Sequence, residues 1–328
     1  WLVNYLFANH ATNLIVFHFF FVVNNHVTFL FSRGGKVKTL TKERKEERFA
    51  YLIMLPVGIY FVVVIFYPLL WAIYTSFTNK MIGTSGRFVG LKNYIAITKD
   101  WEFWKATSNT LIYTLFAVSF KVLFGMIMAL IINANIRARS LFRALLILPW
   151  TIPTLITALT WKWMFSDIGG VIPYFTELIF GSKNAIPWLT NPEWAMVSVI
   201  LVNVWRGVPF LGISILSGLQ TIPSELYEAA QIDGASKRQC FFHITLPSIK
   251  LVVLLATLVT TIWTLNDFQI VWVITRGGPV FGTHLISTYS YNIGFSEMNL
   301  AKAISVSVFF LPFLVLLVNK ITKVMLGE

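Results

Sequence analysis

Ser224–Pro247 reads SELYEAAQIDGASKRQCFFHITLP and stands between two apolar runs, at about 194–218 and 248–274. A membrane-spanning helix needs roughly 20 mostly apolar residues, and each run supplies them. Pro223, just before the stretch, suits the start of a helix, and Gly234 suits its end. The sequence therefore predicts two membrane spans joined by a helix, a break and a second short helix. We call Ser224–Pro247 the elbow.

One side of the first elbow helix is predicted to be small and apolar. Leu226, Ala229 and Ala230 fall at i, i+3 and i+4, so they lie on the same helix face. Small side chains let another backbone approach closely, and an apolar patch between two spans indicates a docking surface. The second short helix is expected over residues 235–243, with Pro247 opening the next span.

The composition is that of a membrane protein. Of the 328 residues, 56% are hydrophobic and 12% charged, and the mean hydropathy is +0.71; soluble domains carry about 25% charged residues. The formal charge of +12 comes mostly from loops between apolar runs, where basic residues set topology, so we expect no nucleic-acid partner. Cys240 is the one cysteine, which excludes an internal disulfide, and the five scattered histidines predict no metal site.

Seven apolar runs are long enough to cross a bilayer. They lie at about 11–31, 50–77, 109–132, 144–165, 194–218, 248–274 and 304–326. The first is interrupted by polar residues, and we interpret it as an accessory span. The sequence therefore predicts an all-α membrane protein with a six-span core and an extra N-terminal span. Residues 1–48 form the accessory span and a basic cytoplasmic linker, and residues 49–328 form the core domain, with its key loop at 220–247.

Basic residues predict the orientation of the chain. Residues 33–48 contain seven Lys and Arg, which is typical of a cytoplasmic segment. Alternation then places the elbow and the C-terminus in the cytoplasm. The loop at 78–108 carries five basic residues on the predicted outer side and departs from the rule.

Seven elbow residues match, without gaps, the signature of the membrane subunits of binding-protein-dependent ABC importers. They are Glu228, Ala229, Ala230, Gly234, Ile244, Leu246 and Pro247. Three such residues alone are ordinary helix punctuation, but seven at fixed spacing between two spans are specific. From about residue 50 to 326 the chain resembles the carbohydrate-uptake branch, which includes the larger maltose-importer subunit and the permeases of alginate-oligosaccharide and glycerol-phosphate importers. Further matching stretches are FVGLKNY (Phe88–Tyr94), RALLILPWTIP (Arg143–Pro153), VNVWRGVPF (Val202–Phe210) and LNDFQIVWVITRGGP (Leu265–Pro279).

The resemblance implies a type I importer permease in the bacterial cytoplasmic (inner) membrane. Its elbow would be the ATPase-coupling loop, in which Glu228 anchors a cytoplasmic ATPase and Gly234 forms the turn. The implied partners are a homologous second membrane subunit, two cytoplasmic ATPase subunits, an extracytoplasmic solute-binding protein, a saccharide and the lipid bilayer. This sequence has no Gly-x-x-x-x-Gly-Lys-Ser/Thr loop, so we expect no enzymatic activity and no cofactor, with Mg-ATP held by the ATPase subunits.

The resemblance also places a substrate pathway inside the membrane. The implied residues are Trp150, Thr154, Asn203, Arg206, Gly207, Phe210, Asn266 and Asp267. Aromatic faces stack on pyranose rings, amides and hydroxyls bond to sugar hydroxyls, and a glycine keeps the wall low. Pro149 and Pro153 can distort the third core span. The alternative is that the aromatic residues only pack and that Asn203 only joins helices.

Lys121, Lys162, Arg206 and Asp267 stand out among the charged residues of the predicted spans, where a charge costs about 3 kcal/mol. Lys162 lies near a span end and can reach the headgroups. Lys121 either pairs with a partner or faces water. Arg206 and Asp267 either form a buried ion pair or line the pathway.

Arg206 stands where the maltose-type subunit has an apolar residue. A permanent cation favours carboxylate or phosphate, so we expect an anionic glycan such as an alginate oligosaccharide, with neutral oligosaccharides as the alternative. Two other classes of membrane protein fit the sequence less well. A secondary, ion-coupled transporter would need a driving-ion site, and an intramembrane enzyme would need a catalytic set that the spans lack.

Overall fold

The computed structural model describes residues 40–134, 139–181 and 186–326. The accessory span predicted at 11–31 lies outside these residues. Within them the regular structure is helical, and an isolated bridge between Thr78 and Phe88 is the one β-type pairing. The predicted all-α fold is confirmed.

The helices are numbered here in chain order. The first half of the described chain contains α1 (Leu40–Phe61), α2 (Tyr67–Ser76), α3 (Lys92–Thr98), α4 (Trp101–Asn133), α5 (Arg139–Thr151), α6 (Thr154–Met164) and α7 (Val171–Phe180). The second half contains α8 (Pro192–Leu219), α9 (Ser224–Ile232), α10 (Lys237–Cys240), α11 (Leu246–Leu265), α12 (Gln269–Ile274), α13 (Ile286–Tyr291) and α14 (Leu300–Leu326). Short π-helical turns at Val62–Phe66 and Phe241–Thr245 join consecutive helices, and a third, at Asn292–Ser296, continues α13.

Six spans form the core, as predicted. By length and composition, five continuous helical segments can cross a bilayer. They are Tyr51–Ser76, Trp101–Asn133, Pro192–Leu219, Lys237–Ile274 and Leu300–Lys320. The sixth span consists of α5 and α6, which together are long and apolar enough but meet at an angle of 90°.

The break in this span lies at the second of the two prolines that the sequence singles out. Pro153 precedes α6 in an extended conformation, with φ −54° and ψ 135°. Proline lacks an N–H donor and forces the preceding residue away from helical geometry, so the helix ends there. Pro149 stays inside α5.

The centre of the bundle is the packing of α4 along α8. A Cβ atom on Gly125 would lie 2.8 Å from the Cβ of Leu211 and 3.2 Å from the N of Gly212. The backbones of α4 and α8 therefore approach closely at Gly125 and Gly212, and small residues are common where helices associate in lipid. In contrast, side chains along α1 and α2 such as Leu52, Ile53 and Leu70 are exposed.

The end of the bundle opposite the elbow is braced by polar contacts. Asp100, which caps α4, accepts a hydrogen bond from the Tyr289 hydroxyl at 2.7 Å and pairs with Lys302 at 3.2 Å. The amide of Asn109 donates to the carbonyls of Phe281 and His284. These contacts fasten the long connection before α14 to the start of α4.

Candidate functional site

Four predicted pathway residues share one face of α8. Asn203, Arg206, Gly207 and Phe210 fall at i, i+3, i+4 and i+7. Asn203 is buried, and the other three are half-buried. Contacts described below run from this face to α4, α5 and α11, so the structure does bring these four together.

Asp267 follows α11 and joins several helices. Its Oδ2 accepts hydrogen bonds from the Tyr113 hydroxyl at 2.6 Å and from the Asn203 amide at 2.7 Å. Its Oδ1 accepts from the N–H of Ile270 at 3.4 Å, and its backbone carbonyl accepts from the Ser287 hydroxyl at 2.6 Å. The carboxylate thus holds α4, α8 and α12 together.

The ion pair between Arg206 and Asp267, one of the two alternatives, does not form. In the described part of the chain, the pair between Lys302 and Asp100 is the only one within 4.0 Å. Oδ2 of Asp267 instead accepts two hydrogen bonds from neutral donors. Arg206 still lies near enough to Asp267 for electrostatic attraction.

Lys121 is buried inside the protein, with 3% of its surface exposed. Its ammonium donates to the Thr264 hydroxyl at 2.9 Å, and that hydroxyl donates to the carbonyl of Thr260 at 2.6 Å. A Cβ atom on Gly207 would lie 2.5 Å from Cε of Lys121. Gly207 therefore makes room for the lysine stem, a role that the sequence did not predict. Lys162, in contrast, is exposed in the last turn of α6.

Three aromatic rings from three helices form a row. The centroid of Phe210 lies 6.3 Å from that of Trp150 on α5 and 4.7 Å from that of Trp263 on α11. Trp150 is 39% exposed, so part of the row is accessible. Such ring faces suit the apolar sides of sugar rings. Thr154 begins α6, on the other side of the 90° break from Trp150.

Asn266 lies in a different place from the rest of the predicted pathway. Its amide nitrogen donates to the carbonyl of Ile262 at 2.9 Å, which satisfies the end of α11. Asn266 lines a mostly apolar cavity with residues of α2, α4, α13 and α14, among them Ala72, Thr110 and Phe310.

Two buried polar atoms at the site have no hydrogen-bond partner among the described residues. They are Oδ1 of Asn203, an acceptor, and Nε of Arg206, a donor. A buried polar atom left unpaired costs about 1–3 kcal/mol.

Sequence reasoning missed three residues of this site, namely Tyr113, Trp263 and Thr264. Tyr113 lies two helical turns before Lys121 on the same face of α4, so the buried lysine was the signal that could have located it. Trp263 and Thr264 lie shortly before Asn266 and Asp267, but nothing in the sequence shows that α11 turns Trp263 toward α8 and Thr264 toward α4.

The first elbow helix ends as the sequence predicts. Gly234 has φ +78°, a conformation that favours glycine. Its N–H donates to the carbonyl of Gln231 at 3.1 Å, and the N–H of Ala235 donates to the carbonyl of Ala230 at 2.8 Å. This pair of bonds is a Schellman motif, which satisfies the last carbonyls of α9. Pro223 directly precedes α9, as expected for the start of a helix, and no side chain caps this end.

The second elbow helix is not separate from the next span. Ser236 and Gln239 form a capping box at the start of α10, which continues through the π turn Phe241–Thr245 into α11. Pro247 therefore lies inside this continuous helix, in the first turn of α11. The π turn accounts for the difference, since a wider turn just before a proline relieves the clash of its ring with the preceding carbonyls. Tyr227 and Thr245 bond through their hydroxyls at 2.8 Å and tie α9 to this turn.

The first elbow helix presents an open surface. Glu228 and Ala229 are exposed, Ala230 is half-buried, and Leu226 and Ile232 are 48% and 86% exposed. Apolar side chains with this exposure suit a docking surface. The other signature residues lie at the base of the elbow, where Ile244 and Leu246 are half-buried and Pro247 is exposed.

A six-span bundle with a broken third span, a polar centre and an exposed elbow defines a membrane transport subunit. Residues 121–326 match the family described as "Binding-protein-dependent transport system inner membrane component". The chain belongs to this family, and within it to the permease subunits of sugar ABC importers. This membership sets aside the secondary transporter and the intramembrane enzyme.

Two relatives and one solved structure document the likeness. The chain is 34% identical over 269 residues to the trehalose/maltose transport system permease protein MalF of Thermococcus litoralis, covering 81% of this chain and 90% of the relative. It is 34% identical over 265 residues to the sulfoquinovosyl glycerol transport system permease protein SmoG of Agrobacterium fabrum, covering 79% and 85%. A crystal structure of a bacterial ABC transporter that imports the acidic polysaccharide alginate has the same fold, with a TM-score of 0.75, 23% identity, and coverage of 88% of this chain and 98% of that one.

Proposed function

We propose that this chain forms half of the translocation pathway of an ATP-driven importer for saccharides that carry a negative charge. The observation that carries the proposal is the half-buried guanidinium of Arg206, whose Nε lacks a partner among the described residues. It shares a helix face with Asn203 and Phe210. Arginine is permanently charged and matches carboxylate geometry.

Each part of such a ligand has a counterpart at the site. The acidic group meets Arg206, a hydroxyl donates to Oδ1 of Asn203, and the sugar ring lies against the row of Trp150, Phe210 and Trp263. Gly207 and Asp267 lie beside this space, and Thr154 begins the helix across the break from Trp150, whereas Asn266 lies outside it. Neutral oligosaccharides are the second candidate, which the trehalose/maltose relative favours.

The elbow is proposed to couple this pathway to ATP hydrolysis. The exposed face of α9, with Glu228 beside it, docks into a cleft of a cytoplasmic ATPase, and Gly234 holds the turn that shapes the docking surface. Two ATPase subunits bind Mg-ATP, a homologous membrane subunit forms the other half of the pathway, and a solute-binding protein delivers the ligand outside. The elbow and the C-terminus then lie in the cytoplasm of a bacterial cell.

The continuity of α10 with α11 supports a mechanical route from the ATPase to the ligand. A push on the elbow moves a single helical rod, whose far end carries Trp263 and Thr264 and leads into Asp267. The same movement therefore displaces one ring of the aromatic row and the hydrogen-bond partner of Lys121. Alternating access follows when this displacement opens the pathway to one side and closes it to the other.

The test compares Arg206→Leu with the unchanged chain in proteoliposomes that contain the complete importer and its binding protein. A uronate oligosaccharide and a neutral oligosaccharide of equal length serve as ligands. A hydrogen bond to a charged group contributes about 1.5–3 kcal/mol, so the ratio of acidic to neutral uptake is expected to fall about 10- to 100-fold. Lys162→Leu, which removes an exposed charge from the end of α6, is the matched control and should leave the ratio unchanged. Equal effects of Arg206→Leu on both ligands would refute the anionic substrate.

A further inference from the structure

A second group of aromatic rings lies at the end of the bundle opposite the elbow. Trp272 on α12 stacks on Phe268, which directly precedes that helix, with ring centroids 5.6 Å apart and an interplanar angle of 17°. Tyr291, the last residue of α13, contacts both rings, with its centroid 4.7 Å from Trp272 and 5.0 Å from Phe268. Phe295, in the π turn that follows, stacks on Tyr291 at 4.7 Å. We call these four residues the second aromatic cluster.

The second aromatic cluster adjoins the residues of the pathway. Phe268 follows Asp267 in the chain, and the carboxylate of Asp267 accepts a hydrogen bond from Asn203. The backbone carbonyl of Asp267 accepts another from the Ser287 hydroxyl at 2.6 Å. Ser287 lies about one helical turn before Tyr291, so these two side chains are on the same face of α13. The cluster therefore lies next to the pathway on the side away from the elbow.

The rings of the cluster are only partly covered by protein. Phe295 is 41% exposed, and the other three rings are half-buried. Among the described residues, neither the Tyr291 hydroxyl nor the Trp272 indole N–H has a hydrogen-bond partner. Tyrosine and tryptophan usually pair these polar atoms when they are buried. The cluster thus presents ring faces together with two polar atoms that a ligand can bond.

We propose that the second aromatic cluster is a further sugar-binding surface, which holds the additional rings of a longer oligosaccharide whose first ring lies against the row of Trp150, Phe210 and Trp263. This inference rests on the proposed function, because it places the cluster along the same pathway. The ring faces stack on the apolar sides of the sugar, and the two free polar atoms bond to its hydroxyls. The pathway therefore favours longer oligosaccharides over short ones.

A row of rings on α4 provides a comparison within the same protein. Phe116, Phe120 and Phe124 stack along that helix, with centroids 6.4 and 6.0 Å apart, and they are 40–48% exposed. This row is apolar throughout and lies in a continuous span, as is typical of side chains that face lipid. The second aromatic cluster differs in its unpaired polar atoms and in its position beside Asp267.

The experiment measures the uptake of a disaccharide and a tetrasaccharide of the same sugar by the complete reconstituted importer with its binding protein. Tyr291→Ala removes the central ring, and the ratio of tetrasaccharide to disaccharide uptake is expected to fall about 2- to 10-fold, as for the loss of one aromatic contact. Phe295→Ala removes an exposed ring, should lower the same ratio, and keeps the test decisive if Tyr291→Ala fails to assemble. Phe120→Ala is the matched control, since it removes a ring of equal exposure, and should leave the ratio unchanged.

The outcomes separate this inference from the proposed function. If Tyr291→Ala and Phe295→Ala leave the ratio unchanged, or reduce the uptake of both ligands equally, the cluster is a headgroup anchor or a subunit contact and the inference is wrong. Arg206→Leu tests the charge of the ligand at constant length, whereas the cluster variants test its length at constant charge. A fall in the length ratio without any effect of Arg206→Leu on the acidic-to-neutral ratio would support the cluster and refute the anionic substrate.

Discussion

Gly207 connects the sequence of α8 to the position of a buried charge. Its missing side chain is where the stem of Lys121 lies, and the ammonium of that lysine reaches Thr264 on α11. Because Gly207 on α8 has no side chain, Lys121 on α4 can pass beside it and reach Thr264 on α11. The choice of glycine here concerns space, since no unusual backbone angle is recorded at this position.

We predict that Gly207→Ala displaces Lys121. The new Cβ would lie 2.5 Å from Cε and 2.8 Å from Cδ of the lysine, so the side chain must move away from Thr264. Overpacking of this kind costs about 1–3 kcal/mol. The midpoint of thermal unfolding in detergent should fall, and Gly58→Ala in α1, where nothing lies within 4 Å of the new atom, should leave it unchanged. An unaltered midpoint for Gly207→Ala would show that the lysine has another place to go.

The resemblance supplied the residues of this site that share one helix, and the sequence missed those that meet it from elsewhere. The spacing of Asn203, Arg206 and Phe210 agrees with a single helix face. The approach of Tyr113 and Trp263 depends on how α4 and α11 are rotated against α8, and a single helix contains no information on that rotation. Asn266 was assigned to the pathway because it lies in the matching stretch Leu265–Pro279, yet its amide satisfies the end of α11.

At the scale of single elements, the elbow shows which local signals are reliable. Glycine at the end of α9 predicts the turn because few other residues adopt its φ of +78°. The merging of α10 with α11 was not predictable, because Pro247 normally indicates a helix start. Two of the π turns, Val62–Phe66 and Phe241–Thr245, end two residues before a proline, at Pro68 and Pro247. A proline in a long apolar run can therefore accompany a widened turn instead of a break.

We predict that Gly234→Ala weakens coupling. An L-residue in this left-handed conformation costs about 1–2 kcal/mol, so the end of α9 should fray and its docking surface should lose its shape. Ligand-stimulated ATP hydrolysis by the reconstituted importer should decrease severalfold. Gly234→Asn, which tolerates the same backbone angles better, should retain more activity. The same loss in both variants would point to the side-chain volume rather than the backbone.

Glu228 gives a separate test of the docking surface. We expect Glu228→Ala to reduce the amount of ATPase that co-purifies with the membrane subunits in detergent, because an exposed carboxylate on this face would lose its contact with the ATPase. Glu225→Ala, another exposed carboxylate on the same short helix that the signature does not include, is the matched control. Full recovery of ATPase with Glu228→Ala would separate this glutamate from the coupling role.

At the scale of the whole molecule, the number of spans was predictable, and their shapes were not. Lipid requires long apolar helices, and these are visible in any sequence. The 90° bend between α5 and α6 depends on which of two prolines breaks the span, and the sequence contains both with equal prominence. The brace at the end opposite the elbow joins residues about 200 positions apart, such as Asp100 and Lys302, and no local pattern predicts it.

The stability that this brace contributes should decrease in acid. Burial raises the pKa of Asp100, but hydrogen bonds from Tyr289, from the N–H of Glu102 and from Lys302 outweigh it and lower the pKa below its ordinary value of 3.8. A carboxyl with a lowered pKa stabilises the fold above its ordinary pKa and loses that contribution as the pH falls through the lowered value. Both partners are partly exposed, so the effect is small, about 1 kcal/mol or less.

The thermal midpoint of the unchanged chain should therefore exceed that of Asp100→Asn at neutral pH, and the difference should vanish as the solution is acidified below about pH 4. A difference that persists in acid would show that the stabilisation does not come from the charge of Asp100. The Lys302→Met variant should show the same trend, because it removes the other half of the ion pair.

The rod formed by α10, its π turn and α11 can turn a small tilt into a large displacement of its far end. From Lys237 to Leu265 it is about 40 Å long at about 1.5 Å per residue. If it pivots near the elbow, a tilt of about five degrees would carry its opposite end sideways by about 3–4 Å, roughly the length of one hydrogen bond. A small movement of the ATPase at the docking face would then be enough to break the hydrogen bond between Lys121 and Thr264. Each cycle of ATP hydrolysis would in this way shift the charged side chains around the ligand.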